Sequence, residues 1–219
     1  MTIIDILIDK EYLNEDEQLQ LIMYILTFNL NKYQLQNIIE TIDDILDIKS
    51  KLTVELNENL TTKLNNFIDF LNTCKNQCNE FITIIDEQIN EHLEHYKVNP
   101  DDSQEIKLIK EFYKDIYLLI NELDDKNENI INELKHNYGE YFIFIVKTIK
   151  IILDNINNGN NNIQTYKDLG DSIIYVESIK NNTAKYCLKL TLYKLKNNEE
   201  INIDFINIFN DFYNLIFDK

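Results

Sequence analysis

Glycine and proline are almost absent from this chain. Only three Gly and one Pro occur among its 219 residues, which is far below ordinary usage. Tight turns depend on these residues more than helices do, because glycine supplies positive φ angles and proline presets the first turn position. The scarcity favours long helices with few connections, and we predict a mainly α-helical fold.

A first long helix is predicted from an apolar stripe between residues 60 and 96. Its members recur at steps of three and four residues, which is the spacing of a heptad seam. They are Leu60, Leu64, Phe67, Leu71, Cys74, Cys78, Phe81, Ile85, Ile89, His92 and Tyr96. Pro100 cannot continue this helix, and Asp102 with Glu105 has the spacing of a capping box for the next one.

A second stripe with the same spacing follows. It comprises Ile106, Ile109, Tyr113, Ile116, Ile120, Leu123, Ile130, Leu134, Tyr138, Tyr141, Ile145, Ile149, Ile152 and Ile156. Two long helices joined by a short turn pack antiparallel, so we predict a long antiparallel helical hairpin over residues 51–156. The polar residues at 126–129 interrupt the stripe and predict a kink or break there.

The segment before the hairpin has a weaker helical pattern. Residues 1–50 carry apolar positions at helical spacing and predict several short N-terminal helices. Asn14, followed by Glu17, is a candidate N-cap, and Asn31 before Lys32 marks a break between two helices.

The segment after the hairpin, residues 157–219, changes its periodicity. A polar loop containing glycine is followed by alternating runs at 172–179 and 185–196, which predict a small β-hairpin. Residues 51–56 also alternate and fit a third strand almost as well as a helix. The last run, 201–217, is apolar nearly all round, so it predicts a helix that is covered on both sides. We expect the three segments to form one continuous structural unit.

The charge of the chain restricts its partners. Asp and Glu total 38 against 21 basic residues, every one of them Lys, and the net charge is −17 at pH 7. Such a charge repels nucleic acid and anionic membrane surfaces, so we expect direct binding to neither. The lack of Arg removes bidentate phosphate contacts and is typical of an AT-rich genome. Charge complementarity favours a basic protein as the partner.

Cysteine usage and the N-terminus predict a cytoplasmic protein. Cys74, Cys78 and Cys187 are odd in number, as expected of free thiols in a reducing compartment. Asp5 and Asp9 interrupt the apolar N-terminal run, which therefore does not have the pattern of a signal peptide. The longest apolar stretch, residues 141–153, is too short to span a bilayer.

No motif of a known catalytic or nucleotide-binding site occurs in the sequence. His92 and His95 share one helix face, but Glu133 and His136 lie far from them along the predicted hairpin, so a metal site is not predicted. Cys74 and Cys78 are four residues apart on the apolar stripe, where packing explains them better than redox chemistry. We therefore predict no catalytic residue, no cofactor and no metal.

These patterns favour a non-enzymatic protein-interaction module that acts as an adaptor, regulator or inhibitor through helical surfaces. One alternative is an acidic inhibitor that mimics nucleic acid, and another is an enzyme or metal-binding protein without a visible motif. Two sets of residues are candidates for partner or homodimer contacts. They are Phe209, Phe212, Tyr213 and Ile216 in the last helix and Glu15, Asp16, Glu17, Asp43 and Asp44 in acidic clusters. The alternative for the last helix is a central packing role.

Overall fold

The computed structural model describes residues 30–51, 58–123, 130–158 and 165–217. Across them the chain forms eight α-helices and one 3-10 turn, without a strand. The helices are α1 (Lys32–Lys51), α2 (Glu58–Glu94), α3 (Gln104–Glu122), α4 (Ile130–Tyr138), α5 (Phe142–Asn157), α6 (Thr165–Tyr175), α7 (Asn182–Lys196) and α8 (Ile203–Phe217), and the 3-10 turn is Val176–Ser178. The prediction of a mainly α-helical fold is confirmed. None of the described helices combines the length and apolar character that a bilayer crossing requires.

The chain divides into two compact units, Met1–Asn90 and Glu91–Lys219. This division differs from the three segments that the sequence patterns suggested, 1–50, 51–156 and 157–219.

In the first unit, α1 and α2 run antiparallel. Two ion pairs give the direction, because Lys32 at the start of α1 bonds to Asp86, whereas Asp43 further along α1 bonds to Lys75. Between the helices lies a small apolar core of Leu35, Ile38, Ile42, Phe70, Leu71, Cys74 and Cys78. The apolar stripe of α2 is therefore covered by α1 over these residues.

Helix α1 starts directly after Asn31, where the sequence predicted a helix to begin. The Asn31 Oδ1 atom accepts a hydrogen bond of 2.9 Å from the Gln34 backbone N–H, and the Gln34 Oε1 atom accepts one of 3.1 Å from the Asn31 N–H. This reciprocal pair is a capping box, which satisfies donors that the first helical turn leaves without a partner.

The second unit is built around α8. This helix packs chiefly against α3 and also against α5, while α7 covers another side of α3. Five buried phenylalanines fill the centre, with ring contacts between α3, α5 and α8 and along α8 itself: Phe112, Phe142, Phe205, Phe209 and Phe212. A helix surrounded in this way explains why the last run of the sequence is apolar nearly all round.

The predicted long hairpin requires two corrections. Its second arm is divided into α3, α4 and α5, and these helices bury their apolar sides against α7 and α8. Its first arm, α2, finds a partner in α1 within the first unit. An apolar stripe shows that a helix side is buried but not which helix buries it. Among the described residues, the predicted pairing is found only at the end of α2, where His92 stacks on Tyr117 of α3.

The cap of α3 also differs by one residue from the prediction. Ser103, not Asp102, is the N-cap, since its side chain accepts a hydrogen bond of 3.3 Å from the Ile106 N–H. Asp102 instead accepts from the Asn99 N–H and from Lys110 Nζ, both at 2.8 Å, and holds the preceding turn.

The predicted β-hairpin at 172–179 and 185–196 is wrong. Both runs are helical, and Asn181 is the N-cap of α7, with its side chain accepting a 2.9 Å hydrogen bond from the Ala184 N–H. The buried residues of α7 are Ala184, Cys187, Leu188, Thr191, Leu192 and Leu195, which follow helical spacing. The third strand suggested at 51–56 lies outside the described residues except for Lys51, which belongs to α1.

Candidate protein-binding surface

A glycine corner sets the direction of α5 in the second unit. Gly139 follows α4 with a φ of +111°, and a Cβ atom at this position would lie 3.1 Å from the Ser178 carbonyl oxygen. The Lys180 N–H donates a 3.0 Å hydrogen bond to the Tyr138 carbonyl and ties the turn after α6 to this corner. Only glycine fits both the positive φ and the close backbone approach.

The corner turns Tyr141 outward. In a continuous helix Tyr141 would follow Tyr138 on the buried side, but the break at Gly139 changes the phase before α5 begins. Tyr138 is buried and Tyr141 is exposed. The ring of Tyr141 stacks on Tyr175 of α6, with centroids 4.0 Å apart and planes 3° from parallel.

Further apolar side chains extend this stacked pair. Phe144 contacts the edge of Tyr175 at a centroid distance of 6.1 Å. Ile151 lies seven residues beyond Phe144, on the same face of α5, and is 56% exposed, while Ile174 next to Tyr175 is 68% exposed. We call Tyr141, Phe144, Ile151, Ile174 and Tyr175 the aromatic patch.

Acidic side chains accompany the aromatic patch along α6. Asp168 and Asp171 precede Tyr175 by seven and four residues, which places them on the same side of the helix. Neither forms an ion pair with a described residue. On α5 the nearby lysines are engaged: Lys150 pairs with Asp154, and the ammonium of Lys147 lies 4.9 Å from the Phe217 ring. Asp168 and Asp171 therefore place two carboxylates beside the patch on α6.

The structure places the four predicted contact residues of the last helix mainly inside the second unit. Phe209 and Phe212 are fully buried, and Ile216 is almost fully buried. Tyr213 is partly buried, and the Lys150 ammonium lies 5.5 Å from its ring. These side chains pack within the second unit, whereas Tyr141, Phe144, Ile151 and Ile174 on α5 and α6 are exposed.

Two of the five predicted acidic candidates lie on described residues of the first unit. Asp43 and Asp44 are exposed on α1, and Asp43 is paired with Lys75. Glu15, Asp16 and Glu17, together with the capping signal at Asn14, lie outside the described residues.

The patterns in the sequence did not identify the aromatic patch. Tyr141 was assigned to the buried stripe, because its spacing from Tyr138 is correct for a continuous helix. The available signal was Gly139, whose position directly before this tyrosine permits a change of helical phase.

His92 belongs to an aromatic cluster in the second unit. Its Nε2 atom is 2.9 Å from the hydroxyl of Tyr113, and its ring stacks on Tyr117 with centroids 4.2 Å apart. Tyr96 stacks on Tyr113 at 3.9 Å and donates a 3.0 Å hydrogen bond to Asp211 Oδ2. Burial lowers the pKa of His92, and the neighbouring His95 lowers it further, although Asp211 opposes the change.

The cysteines have the properties of packing residues. Burial raises the pKa of the Cys74 thiol to about 12 and that of Cys78 to about 11, and it raises the pKa of Cys187 as well. Thiols with such values remain protonated near neutral pH and are poor nucleophiles and metal ligands. Among the described residues no group of three or more His, Cys, Asp or Glu side chains is arranged to hold a metal ion.

The chain was compared with known protein families, proteins and structures, and no match was found. No protein-family model matches the chain. No curated protein and no solved structure is significantly similar to it.

Proposed function

We propose that this protein is a helical protein-binding module whose aromatic patch docks a basic, amphipathic segment of a partner protein. The observation that carries the proposal is the group of exposed large apolar side chains on α5 and α6, of which Tyr141 and Phe144 contact the half-buried ring of Tyr175. Single exposed apolar residues are ordinary on a protein surface, whereas contiguous groups of them mark interaction sites. An adaptor, a regulator or an inhibitor would use such a surface.

The composition of the aromatic patch suits an anchoring site. Tyrosine and other aromatic residues are enriched among the contacts that dominate binding energy, because a large rigid ring is buried with little loss of conformational freedom. The Tyr141–Tyr175 stack already restrains two rings before a partner arrives. Complete burial of a fully exposed aliphatic side chain contributes about 1.5–3 kcal/mol, and Ile151 and Ile174, at 56% and 68% exposure, would gain roughly half to two thirds of that on binding.

The charges favour a basic partner segment. Asp168 and Asp171 border the patch without an ion pair to any described residue, and the whole chain carries a net charge of −17. Lysine or arginine side chains of a partner would meet these carboxylates while its apolar residues cover the patch. A negative surface also accelerates the approach of a basic partner, and this effect weakens as salt rises.

A designed peptide tests the proposal directly. A helical peptide of about 15 residues, roughly 22 Å long, would carry leucines along one face and lysines elsewhere. A second peptide of the same composition would have its leucines scattered around the helix. We expect the full-length protein to bind the first peptide at least tenfold more tightly by calorimetry, because only the first presents an apolar face.

Matched variants locate the binding site. Replacing both Ile151 and Ile174 by Ser should weaken peptide binding at least tenfold with little change in melting temperature, since both side chains are mostly exposed. Tyr186→Ser on α7 is the control, because Tyr186 is 60% exposed but lies outside the patch. Equal binding by the double variant and wild type would overturn the proposed site.

A second copy of the chain is the other partner predicted from the sequence. Each copy carries a net charge of −17, so long-range repulsion opposes association between copies at low salt. Sedimentation of the wild type at low and high salt tests this. A dimer that is stable at low salt and is dissociated by Ile151→Ser with Ile174→Ser would assign the patch to self-association and contradict the proposed basic partner.

A further inference from the structure

Helix α7 carries positive charge in an otherwise acidic chain. Four lysines and no acidic residue occur in it, whereas acidic residues outnumber basic ones by 38 to 21 in the whole sequence. One of the four, Lys194, is engaged within the second unit, because its ammonium group bonds to the buried Glu105. The other three, Lys185, Lys189 and Lys196, are half-buried or exposed.

Two exposed tyrosines lie among these three lysines. Tyr186 is 60% exposed and Tyr193 is 42% exposed. Their separation of seven residues, two turns of helix, places both on the same side of α7. Lys189 and Lys196 continue this stripe, because Tyr186, Lys189, Tyr193 and Lys196 follow one another at steps of three and four residues. We call these four residues and Lys185 the tyrosine–lysine face.

Charge interactions with the 3-10 turn show that the members of this face lie close together. Lys189 Nζ bonds to Glu177 Oε1. The pKa of Lys189 is raised, chiefly by this bond and to a smaller degree by Tyr193 and Tyr186. The pKa of the Glu177 carboxyl is lowered, chiefly by Lys189 and also by the charge of Lys185. Glu177 therefore lies beside two lysines and compensates one of their charges.

The two acidic residues that follow α7 lie beside a different part of the helix. Asn198 has a φ of +52°, and the Glu199 N–H donates a 2.9 Å hydrogen bond to the Lys194 carbonyl, so the chain reverses at the end of α7. Glu199 and Glu200 then line a cleft together with Lys194 and Glu105. Their carboxylates accompany the lysine that is not part of the tyrosine–lysine face.

The tyrosine–lysine face consequently has an excess of positive charge. Glu177 is the one carboxylate bonded to it among the described residues. Lys185 and Lys196 form no ion pair with a described residue. Exposed tyrosine rings provide anchoring contacts, and unpaired ammonium groups provide charge complementarity to carboxylates. A surface with both properties suits a segment that combines acidic with apolar side chains.

We propose that the tyrosine–lysine face docks an acidic amphipathic segment of a partner protein. Carboxylates of the segment would pair with Lys185 and Lys196, and its apolar side chains would cover Tyr186 and Tyr193. This face shares no residue with the aromatic patch and takes a partner of opposite charge, so the proposal does not depend on the basic partner. A protein with both surfaces would bring an acidic and a basic segment together on one unit.

The net charge of the chain favours such a segment over a nucleic acid or an anionic membrane. Interactions between exposed charges are largely screened beyond about 8 Å at physiological salt, so a segment that covers only α7 responds mainly to its lysines. A nucleic acid or a membrane extends past this helix and meets the field of a chain with a net charge of −17. The lack of Arg also removes bidentate phosphate contacts.

A pair of acidic peptides tests the proposal on the full-length protein by calorimetry at about 0.15 M KCl. The first is a helical peptide of about 15 residues, with leucines along one face and glutamates and alanines elsewhere. The second has the same composition with its leucines scattered around the helix. We expect saturable binding of one copy of the first peptide, at least about tenfold tighter than binding of the second. A single-stranded oligonucleotide of about 15 nucleotides and vesicles containing phosphatidylserine should not bind.

Substitutions on α7 locate the site. Lys185→Gln with Lys196→Gln should weaken binding of the first acidic peptide about fivefold, because exposed ion pairs each contribute modestly. Lys97→Gln with Lys114→Gln is the control, since it removes the same charge from exposed positions outside the face. Tyr186→Ser should weaken binding about tenfold with little change in melting temperature, because the ring is an exposed anchor.

The proposal is overturned if the first acidic peptide does not saturate, if both acidic peptides bind equally, or if the control pair weakens binding as much as the pair on α7. Binding of the oligonucleotide or the vesicles that is lost in the Lys185 and Lys196 variant would also overturn it, because the face would then recognise phosphate groups.

The two proposed surfaces can fail separately. Ile151→Ser with Ile174→Ser should leave binding of the acidic peptide unchanged, and Tyr186→Ser should leave binding of the basic peptide unchanged. Loss of acidic-peptide binding in the Ile151 and Ile174 variant would place that peptide on the aromatic patch and contradict a separate site on α7.

Discussion

The two units of this protein differ in how completely they enclose their apolar residues. In the described part of the first unit, seven buried residues lie between α1 and α2, and each helix keeps its other side in solvent. In the second unit 29 buried residues form one cluster around α8. Because stability increases with apolar area removed from water, the second unit should supply most of the stability of the chain.

The two units also differ in how well they can support a binding site. A core as large as that of the second unit holds surface helices in defined positions, which a precise binding site requires. The aromatic patch lies on this unit. The following substitutions test the contrast, in order of decreasing expected effect.

Truncation of a central aromatic residue should have the largest effect. Phe209→Ala removes a fully buried ring from the second unit and should cost about 3–5 kcal/mol of its unfolding free energy. Leu71→Ala removes a buried side chain from the first unit and should reduce amide protection there while leaving α3 to α8 unchanged. Residue-resolved hydrogen exchange shows in which unit each variant loses amide protection. Equal loss of protection in both units from either variant would contradict the division into two compact units.

Two glycine substitutions should have opposite effects. Gly139→Ala should cost about 1–3 kcal/mol, because Gly139 has a φ of +111° and its Cβ would meet the Ser178 carbonyl. Gly170 on α6 has open space around its Cβ position, so Gly170→Ala should stabilise the protein by about 0.5–1 kcal/mol. Chemical denaturation measures both. A neutral Gly139→Ala would mean that the corner does not require glycine.

A cap substitution tests the helical assignment of α7. Asn181→Ala should cost about 1 kcal/mol, because the side chain of Asn181 caps the first turn through the Ala184 N–H. Asn182→Ala is the control at the adjacent exposed position and should be close to neutral. Denaturant titrations compare the two variants. If the segment were the predicted β-hairpin, the two substitutions would have similar effects.

The smallest expected effect is a pH dependence at His92. Its pKa is lower in the folded protein than in the unfolded chain, so the unfolded chain binds the proton more readily. Stability should therefore decline as pH falls below about 6.5, the ordinary histidine value, and level off below the folded pKa. Wild type and His92→Gln, melted between about pH 7.5 and 5, should differ in this slope. His95→Gln should retain most of the slope, because burial is the main cause of the shift.

For the helices of the second apolar stripe, the sequence predicted the buried side better than the helix partners. Nearly all residues of the second apolar stripe that lie within the described residues are buried, from Ile106 to Ile152. The spacing of buried residues along a helix follows from local geometry, so it can be recognised in the sequence before the fold is known. Pairing is a long-range property, and residues such as Leu71 and Ile109 give no indication of the helix that will cover them.

The β-hairpin error has a local cause. Tyr186, Leu188, Leu190 and Leu192 alternate with polar residues, which is a strand pattern. The helix is revealed only when the small residues Ala184 and Cys187 are counted as buried and Tyr186 as exposed. Small side chains pack well in helix–helix interfaces, but they add little to the apolar pattern of a sequence. The aromatic patch was missed for a related reason, since a single glycine changed the phase of the stripe.

Amide chemical-shift mapping by NMR tests the proposed binding surface most directly. The full-length protein would be titrated with the amphipathic basic peptide at about 0.15 M salt, where longer-range charge attraction is weak. The account predicts saturable shifts confined to residues 141–151 and 168–175, with the permuted peptide producing none. Shifts centred on Asp43 and Asp44 in the first unit, or equal shifts with both peptides, would contradict it and favour binding by acidic charge alone.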